Sequence, residues 1–249
     1  MLSEERQDYI MRQIESDGKV SVQTLVDSLK VSESTIRRDL SCLEDEKKLK
    51  RVHGGARRIL MPSYEPRFEE KLHANQSLKK AIAQCAAAQV RNGEWIYLDA
   101  GTTTLLMIPW LNGIKNLQVV TNSFKHAEIC TQYNIPVIII GGTIKPDTQA
   151  VIGATGMTQL QHYHMDRAFL GMNGIDTVRG YTTPDIEEGM IKQTAIQQAA
   201  VSYVLADPTK FDQFSSYTVA PLDQAQLITN HLTSRQQQYK KLTTVKEAN

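Results

Sequence analysis

The sequence predicts an α/β protein in two parts: an N-terminal winged helix-turn-helix, then a C-terminal domain on a mainly parallel α/β sheet. Three observations predict it. Residues 1–59 show helical periodicity three times and then a glycine-centred hairpin. Beyond residue 77, short β-rich runs alternate with helical stretches, the pattern of parallel βα units. A chain of 249 residues also exceeds the roughly 150 of an average domain.

The elements follow in order. Residues 2–16 place Ile10, Met11 and Ile14 on a helix that Asp17-Gly18 ends. Ser21 caps a second helix, whose Val22, Leu25, Val26 and Leu29 follow the spacing of one buried face. Lys30-Val31 is a short turn, and Ser32 caps a third helix with Ile36, Leu40 and Leu43 as its apolar stripe. Residues 49–52 and 56–59 are two strands about His53-Gly54-Gly55, and they complete the first domain, 1–59. Residues 60–76, with Pro62, Pro66 and little periodicity, read as a linker. The second domain, 77–232, opens with an alanine-rich helix at 78–90. Strands are expected at 95–99, 117–121, 136–140, 167–171 and 203–206, and helices at 124–132, 157–161 and 185–200. Residues 233–249 read as a polar tail, at most a frayed helix.

Composition narrows the function classes. The chain has 28 Lys+Arg against 27 Asp+Glu, so it is not a globally basic coat for nucleic acid. Its 41% hydrophobic and 22% charged residues are those of a globular protein. The longest aliphatic run, 137–140, cannot cross a bilayer. The acidic start predicts no secretory signal, and Cys42, Cys85 and Cys130, with no CxxC pair, fit a reducing cytoplasm.

Neutrality hides an asymmetry: residues 30–58 hold nine basic residues against five acidic ones. A solvated charged face would give the same excess, so the placement of the charges decides. On a wheel of about 100° per residue, Ser34, Arg38, Ser41 and Asp45 project away from the apolar stripe, with Thr35 and Arg37 on the flanks. Asp45 would repel phosphate, so the N-terminal half of the helix is the part expected to enter a groove. Asp39 falls near the core edge, as an internal salt-bridge or capping partner would. A hydroxyl and a guanidinium facing outward suit base edges in a major groove. Arg51, His53, Arg57 and Arg58 on the wing then suit backbone phosphates. A helical domain that binds protein is the alternative.

Val20-Ser21-Val22, Leu25, Leu29, Val31-Ser32, the run Thr35-Ile36-Arg37-Arg38-Asp39-Leu40, Leu43-Glu44 and Val52-His53-Gly54-Gly55-Ala56 resemble the N-terminal signature of the DeoR-type repressors. These are bacterial regulators of sugar catabolism, and the match runs without gaps over some fifty residues. The resemblance implies double-stranded operator DNA as one partner.

In the second domain, polar and glycine-rich loops follow the expected strands: Asp99-Ala100-Gly101-Thr102-Thr103-Thr104, Thr121-Asn122-Ser123, Gly141-Gly142, Gly171-Met172-Asn173-Gly174 and Asp207. In a parallel sheet these ends gather on one edge, where small molecules bind. Amides and hydroxyls at a helix start suit a phosphate or a row of sugar hydroxyls. Lys145, after the glycine pair, is a further phosphate candidate. Glu188 and Lys192 stand four apart, which an ordinary surface pair on a helix also explains. Lys79 and Lys210 are equally readable as solvated lysines.

The resemblance continues through Asp99 to Thr104, Thr121-Asn122-Ser123, Gly141-Gly142 with Thr148 and Gly153, Thr182-Thr183-Pro184, Glu187-Glu188 with Lys192, and Ala206-Asp207 with Lys210. It implies a domain related to ribose-phosphate isomerases and CoA-transferases that binds a phosphorylated sugar without turning it over. On that basis Lys79, Asp99, Gly101, Thr102, Thr103, Thr104, Glu187, Lys192, Asp207 and Lys210 are implied effector contacts. Asn122, Lys145 and Asn173 join them from the loop ends. Two positions depart from the family's habit: Leu78, where Glu is usual, and Gly189, where Ala is usual. Residues 167–176 and 181–185, with Lys145, look most like the fructose-operon branch, which implies fructose 1-phosphate as effector. No cofactor is implied. One winged domain reads few base pairs, so a homodimer or homotetramer is expected.

An enzyme is the main rival, a sugar-phosphate isomerase with an accessory domain in which Asp99, Glu187 or Lys192 abstracts a proton. Turnover of sugar phosphates separates the two. His162 and His164 sit at metal-ligand spacing but lack a third ligand and read as a polar loop.

Overall fold

The computed structural model describes residues 3–46, 48–58, 67–234 and 236–248. The chain divides into two compact units, Met1–Pro62 and Ser63–Asn249.

The first unit contains helices α1 (Ser3–Asp17), α2 (Val22–Leu29) and α3 (Glu33–Asp45), with strands β1 (Lys19–Ser21), β2 (Leu49–Val52) and β3 (Gly55–Arg58). Both expected caps form: Ser21 Oγ accepts from the Thr24 amide at 3.0 Å and Ser32 Oγ from the Thr35 amide at 3.3 Å. Lys30 closes α2 in the left-handed conformation, its amide donating to the Val26 carbonyl. Ile10, Ile14, Leu25, Ile36, Leu40, Leu43 and Leu49 form the buried core. β1 was not expected. It is three residues long and exists only through antiparallel pairing with β3 in a sheet of order β1-β3-β2. A Cβ on Gly55 would lie 2.0 Å from the Val20 carbonyl, so this pairing requires glycine there. Asp39, 3% exposed, accepts from Arg6 Nε at 2.8 Å and Nη2 at 3.1 Å, the internal salt bridge its wheel position suggested.

In the second unit α4 (Phe68–His73) and α5 (Gln76–Ala87) precede β4 (Trp95–Leu98), α6 (Thr102–Leu105), β5 (Gln118–Thr121), α7 (Phe124–Gln132) and β6 (Val137–Ile139). A small hairpin, β7 (Thr143–Ile144) with β8 (Val151–Ile152), leads to α8 (Ala154–Leu160) and β9 (Met165–Gly171). Then come β10 (Gly174–Asp176), β11 (Gly180–Thr183), α9 (Ile186–Gln197), β12 (Ala199–Leu205), β13 (Tyr217–Ala220), β14 (Gln226–Thr229) and β15 (Val245–Glu247). The main sheet has the order β15-β14-β12-β9-β4-β5-β6, and every pairing in it is parallel. Alternate residues feed two cores: Ile96, Leu98, Phe169 and Tyr203 pack towards α5, while Tyr97, Ala168, Leu170 and Val204 pack towards α8 and α9. An antiparallel sheet, β10-β11-β13, covers the second core.

Two expectations change here. Residues 60–66 of the expected linker lie outside the described residues, but Phe68–His73 is a helix and α5 already starts at Gln76. The tail does not fray: Val245–Glu247 adds the parallel edge strand beside β14, and Tyr239 is fully buried. Gly189 has a packing reason, since a Cβ there would meet the Tyr217 ring at 2.3 Å.

The strand order fixes where a ligand can enter. From β4 the chain builds towards β5 and β6, and from β9 it builds the other way, so the order reverses between β4 and β9. The loops after these two strands diverge, which opens a crevice at their carboxyl ends.

Candidate functional site

On the first unit, α3 turns Ser34, Arg37 and Arg38 to the surface, with Thr35 and Ser41 half-buried on its flanks. Arg38 has no ion-pair partner among the described residues, whereas Arg37 pairs with Glu33 at 2.5 Å. The Ser34 and Thr35 hydroxyls each lie 2.9 Å from Ser32 Oγ, within the cap. Ser41 Oγ donates to the Arg37 carbonyl at 3.0 Å and accepts from Arg51 Nη1 at 2.7 Å. The Arg51 amide donates to Glu44 Oε1 at 2.9 Å, so the wing is fastened to α3 through both side chain and backbone. His53 and Arg57 are exposed on the wing, and the Arg58 side chain lies outside the described residues.

On the second unit, a cleft of about 650 Å³, its open mouth included, sits at the reversal between β4 and β9. Lys79, Asp99, Gly101, Thr102, Thr103, Asn173, Lys192, Asp207 and Lys210 all line it. Nine of the thirteen expected residues thus meet in one place. At its floor, Asp99 is 1% exposed and accepts from Lys192 Nζ at 2.5 Å and from the Gly171 amide at 3.0 Å. Lys192 pairs with Asp99, and both Lys192 and Glu188 are buried, at 5% and 6% exposed, which corrects the surface-pair alternative. Lys79 Nζ donates to Thr102 Oγ1 at 3.1 Å and to the Lys71 carbonyl. Burial pushes the Lys79 ammonium below its usual pKa, partly opposed by the nearby Asp207 charge. Asp207 Oδ1 accepts from the Thr209 amide at 3.0 Å, which orients the turn carrying Lys210.

The other four expected residues do not line the cleft. Thr104 turns inward and donates to the Asp99 and Gly101 carbonyls at 2.6 and 2.7 Å. Asn122 Oδ1 accepts from the Ala100 amide at 3.0 Å, so it braces the loop. Lys145 bridges Asp185 at 3.0 Å and Glu188 at 3.1 Å. Burial would raise the Asp185 carboxyl, but the Glu188 amide and Lys145 outweigh it and hold it below the usual range. Glu187 is exposed, and its neighbour Glu188 faces the cleft instead. Adjacent helical residues point about 100° apart, so a Glu-Glu pair alone does not say which one faces inward. The facing position of Lys192, one turn on from Glu188, was the available signal.

Nine lining residues were not among the expected contacts, and the polar or aromatic side chains among them are Glu188, Thr148, Phe68 and Lys71. Thr148 Oγ1 donates to Glu188 Oε1 at 2.6 Å, the oxygen that Lys145 also contacts. Behind the loop lies His126, fully buried, with Nε2 3.0 Å from Thr104 Oγ1 and Nδ1 2.8 Å from Ser123 Oγ. Burial pushes its pKa down to about 4, against the opposing pull of Asp99 and the Gly101 carbonyl, so it is neutral at pH 7. The chain Ser123–His126–Thr104 holds the loop that carries Asp99, Thr102 and Thr103. Among the described residues no cluster of His, Cys, Asp or Glu could hold a metal ion, and no helix is long and apolar enough to cross a membrane.

Comparison with known proteins agrees with this division of labour. The profile of the DeoR-like helix-turn-helix domain matches residues 6–60, and that of the DeoR C terminal sensor domain matches residues 74–231. The regulator FruR of Bacillus subtilis (strain 168), described as an uncharacterized HTH-type transcriptional regulator, is 44% identical over 92% of this chain and 91% of its own. YulB of the same organism, described in the same words, is 36% identical over 92% and 90%. Ribose 5-phosphate isomerase A from Methanocaldococcus jannaschii superposes with a TM-score of 0.42 at 21% identity over 55% of each chain. By both profiles and by relatives aligned over nearly its whole length, this chain belongs to the DeoR family of DNA-binding, HTH-type transcriptional regulators.

Proposed function

We propose that the protein represses a sugar-utilisation operon, fructose being the sugar, and releases its operator when fructose 1-phosphate fills the cleft. The observation that carries this is the composition of the cleft wall. Lys71, Lys79, Lys192 and Lys210 supply ammonium groups for a phosphate, while Asp99, Glu188 and Asp207 supply acceptors for hydroxyl groups. A ligand with a phosphate at one end and several hydroxyls along its length uses both sets. The likeness of residues 167–176 and 181–185 to the fructose-operon branch supports fructose among the sugars. Arg38 and Ser34 of α3 read base edges, Thr35, Arg37 and Ser41 flank them, and Arg51, His53, Arg57 and Arg58 hold phosphates. Two or four copies on repeated half-sites supply the length of sequence that one head cannot read. An effector that discriminates the two states by about 1–3 kcal/mol is enough to regulate.

The test is an operator-binding titration at one stated salt concentration, on the region upstream of the protein's own operon, with a panel of sugar phosphates. Specific binding that fructose 1-phosphate weakens is the expected result. Specific binding indifferent to the panel would discard the effector. No specific binding, together with turnover of a sugar phosphate, would replace the reading with the isomerase.

A further inference from the structure

Helix α4 is oddly placed for a piece of connecting chain. Phe68, its first residue, is 3% exposed, yet it belongs to neither hydrophobic core of its unit. Its ring is buried against the cleft, which it lines together with Lys71. Two contacts hold the helix at its two ends. The Phe68 amide donates to the Asp147 carbonyl at 2.9 Å, next to the Thr148 that lines the cleft. At the other end the Lys71 carbonyl accepts from Lys79 Nζ, which also donates to Thr102 Oγ1 in the cleft. Residues 59–66, immediately before α4, connect it in sequence to the wing strand β3.

We infer that α4 is a strap clamped by the ligand, and that Phe68 is the positioning residue through which cleft occupancy acts on the chain leading to the reading head. The inference rests on the effector reading above. An ammonium has three donors, and two of those on Lys79 are engaged, so an anion in the cleft takes the third without breaking the tether. That bond adds charge-assisted strength to the group that holds the end of α4. The ligand also meets Phe68 and Lys71 directly, so the wall it completes includes the strap. A six-residue helix outside the core has little stability of its own, and contacts of this kind decide how often it opens.

Hydrogen exchange on the full-length protein tests this, with ligand binding measured by calorimetry on the same samples. In wild type, saturating fructose 1-phosphate slows exchange in residues 68–74; unchanged exchange there despite measured binding would overturn the strap. Phe68→Ala also removes a cleft contact, so calorimetry on the variant first sets the sugar-phosphate concentration that saturates it, and operator affinity is then compared with and without that saturating ligand. The ligand's effect on operator affinity, roughly 5- to 150-fold for ordinary coupling, falls towards unity; full retention of the effect would overturn the positioning role. If neither fructose 1-phosphate nor inorganic phosphate binds wild type, the effector reading fails, and the tether is judged on ligand-free protein alone. There Lys79→Met speeds exchange in residues 71–74 if the tether is real, and leaves it unchanged if it is not.

Discussion

The two polar surfaces of this protein hold their charges in opposite ways. On the outward face of α3 the charges stand in water, and Arg37 and Glu33 meet with more than half of each side chain exposed. In the cleft Asp99 and Lys192 meet with side chains 1% and 7% exposed. An exposed pair is screened and exchanges freely with solvent or phosphate, so removing a member changes binding more than folding. A buried pair has given up its hydration, so removing a member leaves a charge that nothing solvates. The reading surface is therefore separable from the fold, whereas the sensing surface is part of it.

The sharpest way to break that contrast is Lys192→Met, which strands the Asp99 carboxylate. Loss of one partner of a buried pair costs about 3–5 kcal/mol. Both tryptophans, Trp95 and Trp110, lie in the second unit, so denaturation followed by tryptophan fluorescence reports on that unit. The double variant Asp99→Asn with Lys192→Met is expected to recover part of the loss, because no uncompensated charge remains. A cost below about 1 kcal/mol for Lys192→Met would place the pair in the same class as the surface ones.

His126 gives the next largest effect, with a definite sign. Its pKa falls from 6.5 to about 4 on folding, so the unfolded chain binds the extra proton more readily. The stability that goes with a neutral ring is fully present above pH 6.5 and is lost as pH falls towards 4, by about 3 kcal/mol in all. Wild type is expected to lose that much more than His126→Gln between pH 7 and 4, by chemical denaturation. Parallel losses would show that the ring is not what ties the Asp99–Thr104 loop down against protonation.

The same division governs what was legible in advance. Ser21 and Ser32 each cap a helix through a bond three residues away, and Ile36, Leu40 and Leu43 mark the buried face of α3 by spacing alone. The strands of the parallel sheet were visible because burial on both faces makes them continuously apolar, as in Trp95–Leu98. Contacts between distant segments left weaker marks. Lys19–Ser21 and Val245–Glu247 are polar three-residue strands that form because a neighbouring strand is already in place. Phe68–His73 follows two prolines and shows less than two turns of periodicity. In the cleft, residue types at strand ends announced Asp99, Thr102 and Asp207. Whether a polar residue faces the ligand or braces the loop, as for Asn122, Lys145 and the Glu187–Glu188 choice, depends on packing between elements.

Arg38→Ala sharpens the comparison from the other side. The residue is exposed and outside the core, so folding stability should stay within about 0.5 kcal/mol of wild type. A guanidinium that reads a base edge contributes about 1–3 kcal/mol, so operator affinity should fall about tenfold or more, with discrimination between operator variants relaxed. A uniform loss across all sequences, with a shallower salt dependence, would instead assign Arg38 to a phosphate.

The smallest effect carries the most information about the surface pair. Glu33 stands in the first turn of α3 and pairs with Arg37 one turn on. Glu33→Gln removes both the pair and a favourable interaction with the helix N-terminus, together about 0.3–1 kcal/mol of stability. It also removes a negative charge from the flank of the proposed reading face and releases Arg37 for a phosphate. Stability and operator affinity should therefore move in opposite directions, the variant being slightly less stable and binding more tightly at low salt, with a steeper salt dependence. If affinity falls along with stability, Glu33 is aiming Arg37 at its target rather than competing for it, and this exposed pair is doing on a small scale what the buried one does in the cleft.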